Sequence, residues 1–432
     1  MELKIEKLIY GGDGLSRLPA DEHGRGKAVF VPFVLERERV DADIVQTKPG
    51  FARARANRIL EPSTYRVAAP CPYFARCGGC HYQHSTYEHQ LEIKASVLRE
   101  NLRRITKLEL SSELKIHPSP PWNYRNRTRM RVRSHPEFAL GYYKFGSHEL
   151  LPVQDCPISS PLINRAIAKV WELGRARQLD EGIKEIEFFA DASDTSLLVE
   201  LYCLSEPATT VKSCAEKLQS SLPEVAGVAA FPAESPARPS TQEPANPAVV
   251  GAGHLTYKTA RTDYRVSAGS FFQTNRHLTD ELVEIVTAGQ SGRTAIDLYA
   301  GVGLFSVVLS REFERVIAVE SSPQSHSDLV YNAPVNLKAF RTPVEQYLKD
   351  RAGSLRADVV IVDPPRGGLG ESVARAIVEI NAPALTYVSC DPATLARDLV
   401  PLLAAGYRVD QAHLVDLFPQ TFHLETVLRL TR

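Results

Sequence analysis

Thr294-Ala-Ile-Asp297-Leu-Tyr299-Ala-Gly301-Val-Gly303-Leu-Phe-Ser306 is the stretch from which the rest of the chain can be read. A short apolar strand, Thr294 to Leu298, runs straight into a glycine turn that opens a helix. Glycines at such a turn let backbone approach a ligand closely. Ser306 stands where a dinucleotide fingerprint has its third glycine. Outward from this stretch, apolar strands alternate with helical segments: Val316 to Glu320, Asp358 to Asp363, Leu385 to Ser389, and a closing pair near His413 to Leu417 and Thr426 to Leu430. The alternation predicts an α/β fold in which residues 263–432 form a doubly wound, Rossmann-like parallel sheet.

Open sheets of this kind bind ligands at the carboxyl ends of their strands, and four chemically distinctive positions fall there: the glycine turn, Glu320, Asp363 and Cys390. Glu320 ends the strand after the glycine turn, placed for its carboxylate to accept both ribose hydroxyls of a nucleoside cofactor. With no third glycine and no second nucleotide half, S-adenosylmethionine fits better than a nicotinamide dinucleotide. A tight turn beside an unrelated acid is the alternative. Asp363-Pro364-Pro365-Arg366 ends a second strand. Enzymes that methylate exocyclic amines usually carry an aromatic residue after the two prolines, so Arg366 argues for another acceptor atom. Cys390 follows a third strand and precedes Asp391-Pro392, a helix N-cap with proline at the first helical position. A thiol against a helix N-terminus is expected to favour its thiolate; a buried structural cysteine is the bland reading. Glu425 precedes the closing strand, as a functional acid or as a solvated edge carboxylate.

Composition sets the wider frame. At roughly 150 residues per domain, 432 residues suggest about three domains. The 44% hydrophobic and 24% charged content is that of a globular chain. No stretch reaches the roughly 18 apolar residues of a membrane span, and the first residues lack the apolar core of a secretory signal, so a cytoplasmic location with no membrane partner is expected. Lys+Arg and Asp+Glu are 51 each, yet Lys94 to Arg133 alone carries a net charge of +8. Seven cysteines without an export signal argue for metal or catalysis over disulfides.

Residues 1–60 read as short strands broken by Gly11-Gly12-Asp13-Gly14, a pattern that suggests an OB-like barrel of the kind that binds oligonucleotides. Residues 61–262 read as a central α+β domain: a helix from Tyr87 to Ile105, then strands near Arg125 to Val132, Ile183 to Ala190 and Ser196 to Leu204. Within it, Pro232 to Pro247 holds five prolines and little apolar surface, a flexible insertion. Cys71, Cys77 and Cys80 lie on one loop, with Cys156-Pro157 a distant fourth; three-plus-one thiolates lean toward an iron-sulfur cluster over zinc. Arg125, Arg127, Arg129, Arg131 and Arg133 alternate with other residues, so a strand would line all five on one face. Something anionic must cover such a stripe, either RNA phosphate or carboxylates of another domain.

Taken together, Tyr10-Gly-Gly-Asp-Gly-Leu, Phe30-Val-Pro-Phe, the four cysteines, Phe271-Phe-Gln273-Thr-Asn275, the glycine turn, Asp363-Pro-Pro-Arg366, Ser389-Cys390-Asp391-Pro392 and His423-Leu-Glu425 resemble the RNA uracil-5-methyltransferase family. The likeness covers nearly the whole chain and is to the iron-sulfur-containing ribosomal RNA branch with an N-terminal TRAM domain. The resemblance implies methyl transfer from S-adenosylmethionine to C5 of a uridine, most simply in large-subunit (23S) ribosomal RNA, with transfer RNA or another acceptor as alternatives. It implies that Gln273, Tyr299, Glu320 and Asp363 contact the cofactor, that Cys390 is the nucleophile, that Glu425 accepts the proton, and that Cys71, Cys77, Cys80 and Cys156 hold a [4Fe-4S] cluster. Ala300 and Leu304 depart from residues common in the family. A monomer is expected, and Cys203 and Cys214 are left to core packing.

Overall fold

The structure is a computed structural model that describes residues 1–20, 26–110, 113–233, 247–349 and 351–432. The greater part of the proline-rich insertion expected at 232–247 lies outside the described residues.

The C-terminal sheet has eight strands in the order Leu337–Arg341, Phe313–Glu320, Gly292–Leu298, Val359–Val362, Ala384–Ser389, Glu425–Thr431, Arg408–Val415, Leu114–His117. The first five run parallel. Glu425–Thr431 reverses direction against Ala384–Ser389. Alternate residues of each parallel strand enter separate cores on the two faces of the sheet: Val360 and Val362 on one side, Val359 and Ile361 on the other. That double burial explains why these strands read as continuous apolar runs. From Gly292–Leu298 the chain winds outward through the next two strands, then returns to lay Val359–Val362 on the opposite side. The crevice at this reversal, outside Leu298 and Val362, is where open α/β sheets bind ligands.

The eighth strand, Leu114–His117, comes from the region assigned by sequence to the central domain and pairs parallel with Arg408–Val415. The helix Tyr87–Thr106 packs on Pro392–Ala404. It is amphipathic, with Ile93, Val97, Leu98 and Leu102 buried, and ends at Lys107, a left-handed residue (φ 61°) whose N–H donates to the Arg103 carbonyl. The 262/263 division falls inside a hairpin of His254–Lys258 and Asp263–Ser267.

A second sheet carries Leu150–Pro152, Ala139–Tyr143, Arg127–Arg133, Ile183–Ala190, Leu197–Cys203, Val225–Pro232 and Ala248–Gly251 in that order. Helices Pro161–Arg175 and Pro207–Ser221 share its core, which includes Cys203 and Cys214. The N-terminal residues form a six-stranded sheet from Glu2–Lys4 to Phe51–Glu61 around Ile5, Val29, Val31, Val34 and Val40. Among the described residues no helix is long and apolar enough to cross a membrane.

Candidate active site

The turn after Leu298 is built as its glycines require. Tyr299, Gly301 and Gly303 have φ of 66°, 57° and 95°. A Cβ on Gly303 would lie 2.9 Å from Leu329 Cδ1 and 3.2 Å from Val307 Cγ2, so a side chain there would have to push these two side chains aside as well as adopt a left-handed φ. The helix expected after the turn is a single short turn, Ser306–Leu309. Glu320 stands across from it and accepts from the Gly301 N–H at 2.9 Å and the Ser322 N–H at 2.6 Å. Each bond takes one lone pair, which leaves acceptor capacity on both oxygens.

Beneath the turn lies a residue that the sequence reading did not single out. Asp297 is fully buried and accepts from the Ser306 hydroxyl, while its Oδ1 has no partner. Burial pushes its carboxyl up to about 7, with the Ser306 bonds opposing and Glu320 adding to the rise. A charged residue inside an otherwise apolar strand was the available signal. Gln273 is buried behind Phe272, which packs in a cluster with Tyr257 and Tyr264; its backbone carbonyl accepts from Asn126 Nδ2 at 3.1 Å.

Across the crevice, Asp363 is pushed up to about 7 by desolvation and then by Asp297. The antiparallel register pairs Ser389 with Thr426, so the next residues, Cys390 and Glu425, come to the same end of adjacent strands. Glu425 is buried, and burial followed by the Asp363 charge holds its carboxyl well above the usual range. The Cys390 thiol is pushed up to about 12, first by burial, then by Glu425, Asp363 and Asp391, with Arg366 opposing. The expected thiolate-favouring environment is therefore corrected. Asp391 itself accepts from the Ala393 and Thr394 N–H groups at 2.9 and 3.0 Å, so the helix end is already satisfied, and the nearby carboxylates raise the thiol further.

The loop that delivers Glu425 is pinned from several elements. Gln420 exchanges two 3.0 Å hydrogen bonds with Gln90, and its carbonyl accepts from the His81 and Tyr82 N–H groups. Lys94 reaches Asp416 at 2.6 Å and the Phe418 carbonyl at 2.9 Å, fully buried. Tyr124 donates to the Pro419 carbonyl.

Cys71, Cys77, Cys80 and Cys156 line one cavity of about 320 Å³, together with Arg125 and Tyr142. Burial raises the Cys77 and Cys80 thiols to about 11 and about 12, and neighbouring thiols add to both. Among the described residues no group of three or more Cys, His, Asp or Glu side chains is set to hold a metal ion.

The arginine stripe differs from its expected use. The strand begins at Arg127, and Arg125 instead lines the cysteine cavity. Arg127 pairs with Glu187 at 2.6 Å and Glu200 at 2.8 Å, Arg129 with Glu187 at 2.5 Å, and Arg131 with Glu185. The covering carboxylates belong to neighbouring strands of the same sheet, so neither RNA phosphate nor another domain is needed to compensate these three. Glu185 and Glu187 alternate in phase opposite Arg131 and Arg129, a cross-strand pattern present in the sequence. Arg129, Arg131 and Arg133 remain exposed.

Comparison with known proteins gives the same direction as the geometry. An uncharacterized RNA methyltransferase of Aquifex aeolicus is 33% identical over 438 residues, spanning 100% of this chain and 98% of its own length. Another uncharacterized RNA methyltransferase, of Caldanaerobacter subterraneus subsp. tengcongensis, is 34% identical over 454 residues, covering 100% of this chain and 98% of the relative. The fold is that of the Pyrococcus abyssi tRNA (uracil-54, C5)-methyltransferase, solved with S-adenosyl-L-homocysteine, at 23% identity and a TM-score of 0.75 with 100% of both chains covered. Residues 86–432 match the tRNA (uracil-5-)-methyltransferase family, and the chain belongs to that family of RNA methyltransferases.

Proposed function

We propose that the protein transfers a methyl group from S-adenosylmethionine to C5 of a specific RNA uridine through a covalent adduct at C6. The observation that carries this reading is the convergence of Cys390 and Glu425 on adjacent strand ends, next to the crevice between Gly301 and Asp363. Glycine backbone at the turn, spare acceptor capacity on Glu320 and the unpartnered Asp297 Oδ1 suit a cofactor with ribose hydroxyls and an ammonium group. Gln273, Tyr299 and Asp363 complete its surroundings. S-adenosylmethionine would supply an electrophilic methyl on a cationic sulfur.

Uracil C5 is too weak a nucleophile to take that methyl unaided. Cys390 gives its proton to solvent as its sulfur bonds to C6, which places electron density on C5. After methylation Glu425, ionised, accepts the C5 proton, and the C6–S bond breaks to restore the C5–C6 double bond and free Cys390. The target must leave the base stack to present its face.

The N-terminal sheet serves, in this reading, as a TRAM-like RNA-binding barrel. In this reading the four thiols, which line one cavity, would hold a [4Fe-4S] cluster. Its role would be structural: Cys80 leads directly into His81 and Tyr82, which hold the loop before Glu425. We favour large-subunit ribosomal RNA as substrate on the combined barrel and cysteine set. The whole-chain likeness to a protein named for transfer RNA keeps that substrate as the second reading.

Nucleoside mass spectrometry for 5-methyluridine on separated ribosomal and transfer RNA, with and without the gene, decides between them. In the purified protein Cys390→Ala is expected to abolish transfer and Glu425→Gln to accumulate a protein–RNA adduct. An active Cys390→Ala variant would remove the assignment.

A further inference from the structure

We propose that Tyr10, on the N-terminal barrel, is a positioning residue for Cys390, so that the barrel completes the catalytic site as well as binding RNA. The inference rests on the reading of Cys390 above. Tyr10 follows the strand Lys7–Leu8 and sits in a tight turn closed by the Gly12 N–H on the Ile9 carbonyl and the Ile9 N–H on the Asp13 carbonyl. Its hydroxyl donates to the Cys390 backbone carbonyl at 3.2 Å. Its ring stands edge-on against Phe422, two residues before Leu424, with centroids 5.4 Å apart at 87°. One side chain thus touches both segments that carry the reacting groups.

The turn is built to stay there. Gly12 has a φ of 90°, and a Cβ on it would lie 3.1 Å from His81 Cβ, so the barrel turn is seated directly on the residue whose N–H holds Gln420. The helix ladder after Cys390 starts with the Leu395 N–H on the Asp391 carbonyl. The Cys390 carbonyl therefore lies one residue outside it, and the Tyr10 hydroxyl supplies it with a donor. Burial, then Asp391 and Cys390, raise the Tyr10 phenol above its usual value, which keeps it protonated and donating. Cys390 must approach C6 within a narrow geometry, and a misplacement of about 1 Å can cost about a hundredfold in rate.

The test uses the full-length protein with Tyr10→Phe, which keeps the ring on Phe422 and removes only the hydroxyl. Methylation of a uridine-containing RNA is followed at saturating S-adenosylmethionine, together with RNA affinity, S-adenosylhomocysteine affinity and the unfolding midpoint. The expected result is a kcat lower by roughly tenfold and equally slow adduct formation on 5-fluorouridine RNA, with both affinities within about twofold and the midpoint unchanged. Tyr10→Ala, which also loses the ring, is expected to fall further. A Tyr10→Phe kcat equal to that of the parent overturns the inference, as does a loss that appears only in RNA affinity. Cys390→Ala is run alongside. If it is inactive while Tyr10→Phe is unaffected, only this inference fails; if it is active, the reading of Cys390 fails with it.

Discussion

Cys390 illustrates how a residue can be found by pattern and yet have its state set by its surroundings. The strand end, the N-cap Asp391 and Pro392 placed it correctly, and the same local pattern suggested a reactive thiolate. Burial and the carboxylates of Glu425, Asp363 and Asp391 oppose that, and the thiol sits at about 12 in the free protein. At pH 8 nearly all of it is protonated, and the thiolate fraction rises by about tenfold for each pH unit below that value. Alkylation of Cys390 by iodoacetamide, read by peptide mass spectrometry, should therefore be slow at pH 7 and climb without levelling through pH 9. A plateau by pH 8 would show that the thiol is already ionised.

At the scale of elements, the strand Arg127–Arg133 shows period and partner separating. Its alternation was legible, but period alone does not say what faces a charge. Ile183–Ala190 lies beside it in antiparallel register, and its glutamates meet the guanidiniums. Arg127 is buried with Glu187 and Glu200; Arg129 still pairs with Glu187, but removing the Arg127 charge leaves the buried Glu200 carboxylate without its ion-pair partner. Arg127→Met should cost about 3–5 kcal/mol of stability in a denaturant titration, and the salt dependence of RNA binding should stay as in the parent. A slope reduced by about one unit would instead mark a phosphate contact.

For the whole molecule, the central and C-terminal parts are spliced. Leu114–His117 forms the edge of the C-terminal sheet, and the Asn126 N–H donates to the Thr274 carbonyl while the Arg276 N–H donates to that of Tyr124. If the central part unfolds, the C-terminal sheet loses its edge strand, and each part loses loop anchors held by the other. Scanning calorimetry should show the two melting in one transition, and S-adenosylhomocysteine at about 100 times its Kd should stabilise that transition by about 2.7 kcal/mol. Two separate transitions with only the later one shifted would contradict the splice.

The sequence by itself determined the parallel sheet, the glycine turn, the positions of Glu320, Asp363, Cys390 and Glu425, and the grouping of four cysteines, because strand period, turn residues and helix caps act over a few neighbouring residues. It also carried the family likeness, since those motifs are short and local. Only the tertiary structure decided the protonation of Cys390, the covering of the arginines, the burial of Asp297, the transfer of Leu114–His117 to the C-terminal sheet and the reach of Tyr10 to a carbonyl 380 positions away. Each depends on which distant segments pack together and exclude water. Desolvation and cross-strand pairing are properties of that packing, and no local periodicity records them.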